Sequence, residues 1–138
     1  MNRSARIITI IMFALFAFVI YRFADSPWTP LRIAGLILMI ATAALLTIAR
    51  RQLGASFSIT PQVKQLVTRG IYSRIRNPIY VFSSLAVIGL FLYMQKPYLL
   101  LILLILIPLQ ITRARAESRL LEKHFGDDYR RYKTTTWF

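Results

Sequence analysis

The sequence predicts an all-α integral membrane protein with about four transmembrane helices and a cytoplasmic helical segment at its C-terminus. The chain has 138 residues, of which 57% are hydrophobic and only 17% charged, whereas about a quarter of the residues in soluble domains are charged. Its apolar residues fall into four blocks, which is typical of membrane helices rather than of a soluble core. The length favours a single membrane domain over residues 1–138.

The four apolar blocks run over residues 7–23, 33–49, 79–94 and 99–112. Each is somewhat shorter than the roughly 20 residues that cross a bilayer, but flanking Tyr, Trp and Arg side chains can extend a span by reaching the interface. The basic start before the first block is also found in signal peptides. We expect an uncleaved span, because no clear small-residue cleavage site follows and three more apolar blocks do.

The two connections predicted on the outer side are short. The first, ADSPWTP, is a turn with Pro27 and Pro30, and its Trp28 suits the membrane interface. The second, QKP, predicts a tight hairpin between the third and fourth blocks. The fourth block contains Pro108, and we expect its helix to continue past the membrane after Thr112.

The basic residues are distributed unevenly between the two predicted sides. Fifteen of the 18 Lys and Arg residues lie before the first block, between the second and third blocks, or after Thr112, and three lie towards the other side. By the positive-inside rule the larger group faces the cytoplasm, which places both termini there, at the cell membrane if the source is bacterial. We therefore attribute the net charge of +13 to topology and anionic lipids, not to nucleic acid.

The composition disfavours several kinds of site. The absence of Cys excludes disulfides, thiolate metal sites and Cys nucleophiles, and one His with five carboxylates makes a metal cluster unexpected. No acidic residue falls inside an apolar block, which counts against a proton-coupled transporter because such a protein needs a titratable group in the membrane. The single His, His124, is more typical of a partly solvated side chain on an amphipathic helix than of a catalytic proton acceptor.

The predicted cytoplasmic loop between the second and third blocks is rich in turn residues. Gly54 and Gly70 punctuate it, and Pro61 stiffens it. Its charged residues Lys64 and Arg69 are expected to face lipid headgroups. Because the polar residues are concentrated in this loop and in the tail, we expect the functional surface on this side.

The loop ends in RIRNPIY, which forms the predicted start of the third span. Pro78 suits the first turn of a helix, and Asn77 is a natural N-cap. Arg76 then lies just outside the helix, and Tyr80 lies one turn inside it. A capped helix start with interface anchors explains these residues, and so does an anion or carboxylate site made by a helix N-terminus and a guanidinium group.

The tail, RARAESRLLEKHFGDDYRRYKTTTWF, predicts an amphipathic helix that ends at Gly126 in an αL conformation. Asp127 or Asp128 can cap a short following turn that carries Tyr129 and Tyr132.

Glu117 is the acidic residue nearest the membrane on this side. Two roles stay open for it: a helix-surface pair with Arg113 or Arg119, or a contact with hydroxyl groups or an ammonium group of a bound cofactor.

Two segments, LVTRGIYSRIRNPIY and RARAESRLLEKHFGDDYRRY, are separated by an apolar hairpin. Their pattern is G-x-Y-x-x-x-R-N-P-x-Y followed by a Glu, an F-G pair and spaced tyrosines: Gly70, Tyr72, Arg76, Asn77, Pro78 and Tyr80, then Glu117, Phe125, Gly126, Tyr129 and Tyr132. This arrangement resembles the isoprenylcysteine carboxyl methyltransferase family and its wider group, which includes phospholipid methyltransferases. The resemblance covers roughly Leu53 to Tyr132, and both motifs in this order are more specific than either alone.

The resemblance implies S-adenosylmethionine as methyl donor, S-adenosylhomocysteine as product, and a cytoplasmic cofactor pocket built from residues 66–80 and 113–132. It implies that Arg76 and Tyr80 contact the cofactor from the start of the third span and that Glu117 contacts it from the tail helix. Arg76 and Glu117 are the candidate catalytic residues, acting by positioning, and no metal is implied. The other implied cofactor-binding residues are Tyr72, Asn77, Pro78, Phe125, Gly126, Tyr129 and Tyr132, of which the last two pack the tail over the cofactor.

The sequence departs from the family pattern at several positions. Ser73 follows the loop tyrosine where a basic residue is common, Asn77 replaces a His, and Ser118 replaces a second glutamate. Phe82 stands where a small residue is frequent, and the tail TTTWF lacks the usual Arg and Pro. Phe82 and the short tail can narrow or reshape the acceptor site, so the substrate stays open.

The interpretation favoured by these residues is a small membrane methyltransferase acting on a lipid-like acceptor, such as a carboxylate or an amine. The alternatives are a transporter or channel, a non-catalytic membrane module of the same fold, and an NADPH-dependent membrane reductase of the steroid-reductase type, which shows a similar Asn-Pro-x-Tyr pattern. The short spans leave room for a homodimer, but Gly35 and Gly89 are isolated and form no G-x-x-x-G face.

Overall fold

The computed structural model describes residues 3–54 and 66–138, so the predicted loop residues Pro61 and Lys64 lie outside the described residues. The described ranges contain the helices α1 (Arg3–Arg22), α2 (Pro30–Leu53), α3 (Pro78–Tyr93), α4 (Leu103–Phe125) and α5 (Asp127–Thr135), with short 3₁₀ helices at Gly70–Ser73 and Pro97–Ile102. The predicted all-α class is therefore confirmed.

Three stretches are long and apolar enough to cross a membrane: Ala5–Arg22, Pro30–Leu53 and Pro97–Phe125. The predicted third span, α3, is also apolar but has 16 residues, fewer than the roughly 20 that a bilayer requires. Large apolar side chains such as Ile10 and Leu104 point outward, as expected for helices that face lipid. The protein is an integral membrane protein, with three helices of full spanning length among the described residues.

The start of α2 and the length of α4 follow local sequence signals. The hydroxyl of Thr29 accepts a hydrogen bond from the Arg32 amide at 3.3 Å, and Pro30 occupies the first helical position. The last helix continues past Thr112 to Phe125, as predicted, and tolerates Pro108 in its interior.

The helices α2 and α3 form the most extensive helix pair and touch through two glycines. A Cβ atom on Gly35 would lie 2.8 Å from the Gly89 carbonyl oxygen and would also collide with the Tyr93 amide nitrogen. A Cβ atom on Gly89 would lie 3.0 Å from the Met39 amide nitrogen. The two glycines thus let the backbones of neighbouring helices approach each other, as small residues do in membrane proteins.

Phe82 belongs to the core made by α1, α2 and α3. Its side chain is buried in one cluster with Phe16, Met39, Ala43 and Leu46. Phe82 therefore fills the space between helices and does not line the cavity between α3 and α4 described below.

The end of the bundle that carries the α1–α2 connection is fastened by Arg32, which is completely buried. Its Nη1 donates to the Ser26 carbonyl oxygen at 2.5 Å, and its Nη2 donates to the carbonyl of Phe23 and to the Tyr93 hydroxyl, the latter at 2.8 Å. The guanidinium also lies over the rings of Trp28 and Tyr93, 4.6 and 4.5 Å from their centroids. These contacts of Arg32 tie α1, α2 and α3 together. Arg32 lies about 27 Å along α2 from Arg50, which is at the opposite end of the bundle.

Candidate functional site

The loop before α3 is held by the last residues of the described tail. The Arg76 amide donates to the Trp137 carbonyl oxygen at 3.1 Å, and the Asn77 amide donates to that of Phe138 at 2.9 Å. In the other direction, the Trp137 amide donates to the Arg74 carbonyl oxygen at 3.1 Å. The two segments thus form a short parallel pairing, which fixes the backbone around Arg76.

Asn77 and Pro78 occupy the predicted positions at the start of α3, but the capping differs. Pro78 is at the first helical position, whereas the side chain of Asn77 makes no capping hydrogen bond. The backbone of Asn77 has φ −122° and ψ 59°, and its amide is directed to Phe138. The tail pairing, not an Asn side-chain cap, therefore positions this helix start.

Tyr72 is attached to the end of α2. The Gln52 side-chain oxygen accepts a hydrogen bond from the Ile71 amide at 2.8 Å, beside Gly70, whose φ of +64° favours glycine. The side chain of Tyr72 is buried, and its hydroxyl has no hydrogen-bond partner in the described part of the chain.

Two tyrosines of α5 lock the tail onto this region, and both are buried. The Tyr132 hydroxyl donates to the Tyr72 carbonyl oxygen at 2.6 Å. The Tyr129 hydroxyl lies 2.7 Å from the Ser118 Oγ of α4. Ser118, which stands where a second glutamate is common in the family pattern, is thus part of the fastening between α4 and α5.

The Tyr80 hydroxyl donates a hydrogen bond of 3.1 Å to the Oε2 of Glu117, joining α3 to α4. Glu117 follows the apolar part of α4, which ends at Thr112. The charge of Arg113, on the same helix, also acts on this carboxyl. The structure therefore brings Glu117 near Arg113, one of its predicted partners, and into contact with Tyr80 of the other motif.

The residues Tyr72, Arg76, Tyr80, Glu117 and Tyr132 are called the polar cluster below. Two of its buried polar atoms lack a hydrogen-bond partner in the described chain: the Tyr72 hydroxyl and the Nη1 of Arg76. Arg76 is close enough to Tyr132 for its charge to act there. Burial raises the pKa of Tyr132 to about 12, Tyr129 adds to the rise, and Arg76 opposes it. Leaving a buried donor unpaired costs about 1–3 kcal/mol, so these two groups suit a polar ligand.

Arg50 also belongs to this region, and the sequence reasoning used it only for topology. It is 6% exposed, its Nη1 donates to the Thr9 hydroxyl at 3.2 Å, and its Nε has no partner in the described chain. The spacing of the sequence did indicate that Arg50 is buried, because Arg50 follows Leu46 and Met39 at helical intervals on the buried face of α2.

Phe125 and Gly126 form the corner between α4 and α5, about 12 Å along α4 from Glu117. Gly126 ends α4 with φ 52° and ψ −120°, so the predicted αL conformation is wrong, although a positive φ is indeed required. The Phe125 ring packs edge-on against that of the exposed His124, with centroids 4.9 Å apart. These two candidate residues shape the tail and lie apart from the polar cluster.

The predicted Asp cap of the next helix is also wrong. Gly126 itself precedes the first residue of α5, so Asp127 already lies inside the helix. The Asp127 carboxylate instead pairs with Arg130 at 3.2 Å on the exposed surface.

A cavity of about 260 Å³ lies between α3 and α4. Its wall includes Tyr80 and Leu85 from α3, Ile107 and Ile111 from α4, and Phe138 from the tail. The cavity is therefore almost entirely apolar and shares Tyr80 with the polar cluster.

The polar side chains beside this cavity satisfy one another. The Ser84 hydroxyl donates to the Gln110 Oε1 at 2.7 Å, and the Gln110 Nε2 donates to the Ser83 hydroxyl at 3.1 Å. These bonds join α3 to α4 and leave the cavity itself to apolar surfaces.

Comparison with known families adds the decisive observation. The model of the phospholipid methyltransferase family matches residues 29–128, which include α2, α3, α4 and the Tyr72–Tyr80 segment. The chain belongs to the phospholipid methyltransferase family. No curated protein matches it. The resemblance predicted from the two motifs is confirmed, and the protein is a membrane methyltransferase.

In this methyltransferase, residues from both motifs meet at one end of the bundle. Tyr80 contacts Glu117, and the tail tyrosine Tyr132 contacts the backbone of Tyr72. The polar cluster thus combines unpaired donors with a carboxylate, and it adjoins an apolar cavity. Such an arrangement can hold a zwitterionic ligand beside an apolar one.

Proposed function

We propose that this protein transfers a methyl group from S-adenosylmethionine to a lipid-like acceptor, such as a membrane molecule carrying an amine or a carboxylate. The observation that carries the proposal is the meeting of the polar cluster and the apolar cavity at Tyr80. The family match supports methyl transfer, and the unpaired buried atoms of Tyr72 and Arg76 fit a polar cofactor.

The side chains of the polar cluster would bind different groups of the cofactor. S-adenosylmethionine supplies an electrophilic methyl group on a positively charged sulfur. Arg76 and Tyr72 offer donors, Glu117 offers a carboxylate to ammonium or hydroxyl groups, and the tail covers them. Because in-line methyl transfer depends on alignment and on exclusion of water more than on proton transfer, few titratable side chains suffice.

The acceptor would use the cavity between α3 and α4. An apolar space of about 260 Å³ suits a hydrocarbon segment and would leave the nucleophilic group of the acceptor near Tyr80. The charge distribution of the sequence supports a cytoplasmic position for this end of the bundle.

The test is calorimetric binding of S-adenosylhomocysteine, and separately of NADPH, to the purified protein in detergent. We expect micromolar affinity for the homocysteine compound, weakened more than about tenfold in Arg76→Ala and in Glu117→Ala, since losing one partner of a partly buried charged contact costs a few kcal/mol. The matched controls are Arg74→Ala and Glu122→Ala: Arg74 is exposed and Glu122 lies in a solvent-accessible salt bridge, and both should bind like the wild type. Wild-type affinity in both site variants would refute the site, and binding of NADPH alone would favour a reductase.

A further inference from the structure

The cavity between α3 and α4 has a wall that neither helix supplies. Among the described residues that line it, Phe138 of the tail is the only one outside these two helices. Phe138 is 37% exposed, so the larger part of its surface is covered by the protein. The tail therefore completes the enclosure of the cavity.

The backbone of Phe138 holds its ring in place. Its carbonyl oxygen accepts a hydrogen bond of 2.9 Å from the Asn77 amide, next to the pairing between Trp137 and Arg74. Its φ of +40° lies in the left-handed region, which residues with a side chain rarely adopt. Such conformations persist where surrounding contacts enforce them, and they cluster at functional sites. The ring is thus a defined part of the wall.

The other bulky or polar side chains near the cavity have roles of their own. The Tyr80 hydroxyl and the polar groups of Ser84 and Gln110 take part in hydrogen bonds between α3 and α4. Phe82 belongs to the core on the other side of α3. The Phe138 ring is held through its backbone, so its size can be changed without breaking a side-chain hydrogen bond.

The size of the cavity limits what can enter it. A dry apolar cavity of about 150 Å³ holds one benzene ring, so a space of about 260 Å³ accommodates one hydrocarbon segment and not two side by side. Asn77 immediately precedes α3 and Tyr80 lies in its first turn, so Phe138 stands at the Tyr80 end of the cavity. An acceptor with its reactive group near Tyr80 would pass the Phe138 ring with the part next to that group.

We infer that the Phe138 ring determines acceptor selectivity, because it admits an unbranched hydrocarbon segment beside the reactive group and excludes a branched or ring-shaped one. The inference rests on the proposed function, since it takes the occupant of the cavity to be the methyl acceptor. In an apolar pocket, one methylene group changes discrimination by about 10–200-fold. Removing a whole ring should therefore have a measurable effect on what enters.

The experiment measures access to the cavity with a thiol, since the chain contains no Cys. Ile111→Cys places a thiol in the cavity wall, and Leu109→Cys places one on the exposed face of the same helix as the matched control. Each protein, in nanodiscs of dioleoylphosphatidylcholine, is treated with methyl methanethiosulfonate or with benzyl methanethiosulfonate, and labelling is followed by mass spectrometry. Adding Phe138→Ala should raise the benzyl rate at Ile111→Cys by about tenfold and leave the other three rates unchanged.

Two further variants and a binding measurement complete the comparison. Phe138→Leu refills part of the space with an aliphatic side chain and should give an intermediate benzyl rate. Trp137→Ala removes a largely exposed ring that does not line the cavity, and it should label like the parent protein. Calorimetry should give the same affinity for S-adenosylhomocysteine in Phe138→Ala as in the wild type, because the ring lies on the acceptor side of Tyr80.

Three results would overturn the inference. An unchanged benzyl rate in Phe138→Ala would show that the ring does not limit access, and it would leave the proposed function intact. An equal rise for both reagents, or at both thiols, would indicate a general loosening of the bundle. A selective benzyl increase in a folded protein that does not bind S-adenosylhomocysteine would keep Phe138 as the limiting wall but refute a methyl acceptor as the occupant, and with it the proposed function.

Discussion

At the scale of single residues, Glu117 connects the two motifs through its hydrogen bond with Tyr80. The Oε2 of its carboxylate accepts that bond, and the charge of Arg113 also acts on the carboxyl. Glu117 therefore links α3 to α4 and presents an ionisable group at the proposed cofactor site.

The ionisation of Glu117 predicts a pH dependence of the proposed cofactor binding. The affinity for S-adenosylhomocysteine should increase as Glu117 loses its proton, because only the carboxylate form can pair with the ammonium group of the ligand. Calorimetry between about pH 5 and pH 8 should show this increase in the wild type and no such increase in Glu117→Gln. Glu122→Gln, which changes a surface carboxyl engaged by Arg130, should keep the wild-type profile, and the same profile in Glu117→Gln would contradict the prediction.

Some residues at this end of the bundle could be predicted from the sequence, and others could not. Tyr80 and Glu117 are 37 positions apart, and it was the resemblance, not periodicity, that associated them. Arg50 was missed because an Arg at the end of an apolar helix is also what topology requires, so its charge alone does not distinguish an inward from an outward side chain. Its place on the buried stripe of α2 was the signal that separated it from exposed Arg51.

At the scale of elements, the apolar blocks predicted the helices well, because hydropathy and helix formation coincide in a membrane. Contacts between the helices were harder to predict from the sequence. Gly35 and Gly89 form no pattern along either helix, yet they face each other across α2 and α3. The pairing of Trp137 with Arg74 was also invisible, since it uses backbone groups, which every residue carries.

Replacing Trp137 by Pro should release the tail. The substitution removes the amide that donates to Arg74, while Thr136, with φ −124° and ψ 148°, already has the extended conformation that a following Pro requires. Losing a hydrogen bond of about 0.5–1.5 kcal/mol should raise trypsin cleavage after Lys133 by several-fold to about tenfold. Trp137→Ala keeps the amide and removes a largely exposed ring, so it should be cleaved at nearly the wild-type rate. Equal cleavage of the two variants would show that the amide does not hold the tail.

At the scale of the whole molecule, the two ends of the bundle differ in how completely their buried polar groups are hydrogen-bonded. At the end that carries Arg32, both terminal nitrogens of the guanidinium donate to acceptors of the chain itself, and only its Nε lacks a partner in the described chain. The other end keeps three buried polar atoms without a partner in the described chain: the Nε of Arg50, the hydroxyl of Tyr72 and the Nη1 of Arg76. We therefore expect substitutions at the first end to affect stability and substitutions at the second end to affect binding.

Arg32→Met tests this separation. It leaves the acceptors of Arg32 without a donor, at a cost of about 1–3 kcal/mol for each buried one, so thermal unfolding in detergent should occur several degrees lower than in the wild type. Below the unfolding transition, the affinity for S-adenosylhomocysteine should be unchanged, because the site is about 27 Å away along α2. Arg22→Met, which removes an exposed charge near the same end, should unfold like the wild type. An unfolding temperature for Arg32→Met equal to that of the wild type would refute the role of Arg32 in fastening the helices.

The pairing between Arg74 and Trp137 also has a consequence for biosynthesis. Roughly 60 residues separate the two partners, so a ribosome working at about 5–20 residues per second makes Trp137 some 3–12 seconds after Arg74. During this interval the amides of Arg76 and Asn77 have only water or headgroups as partners. The end of the bundle that carries Arg76 therefore matures last, and the proposed cofactor site is complete only once the tail has docked.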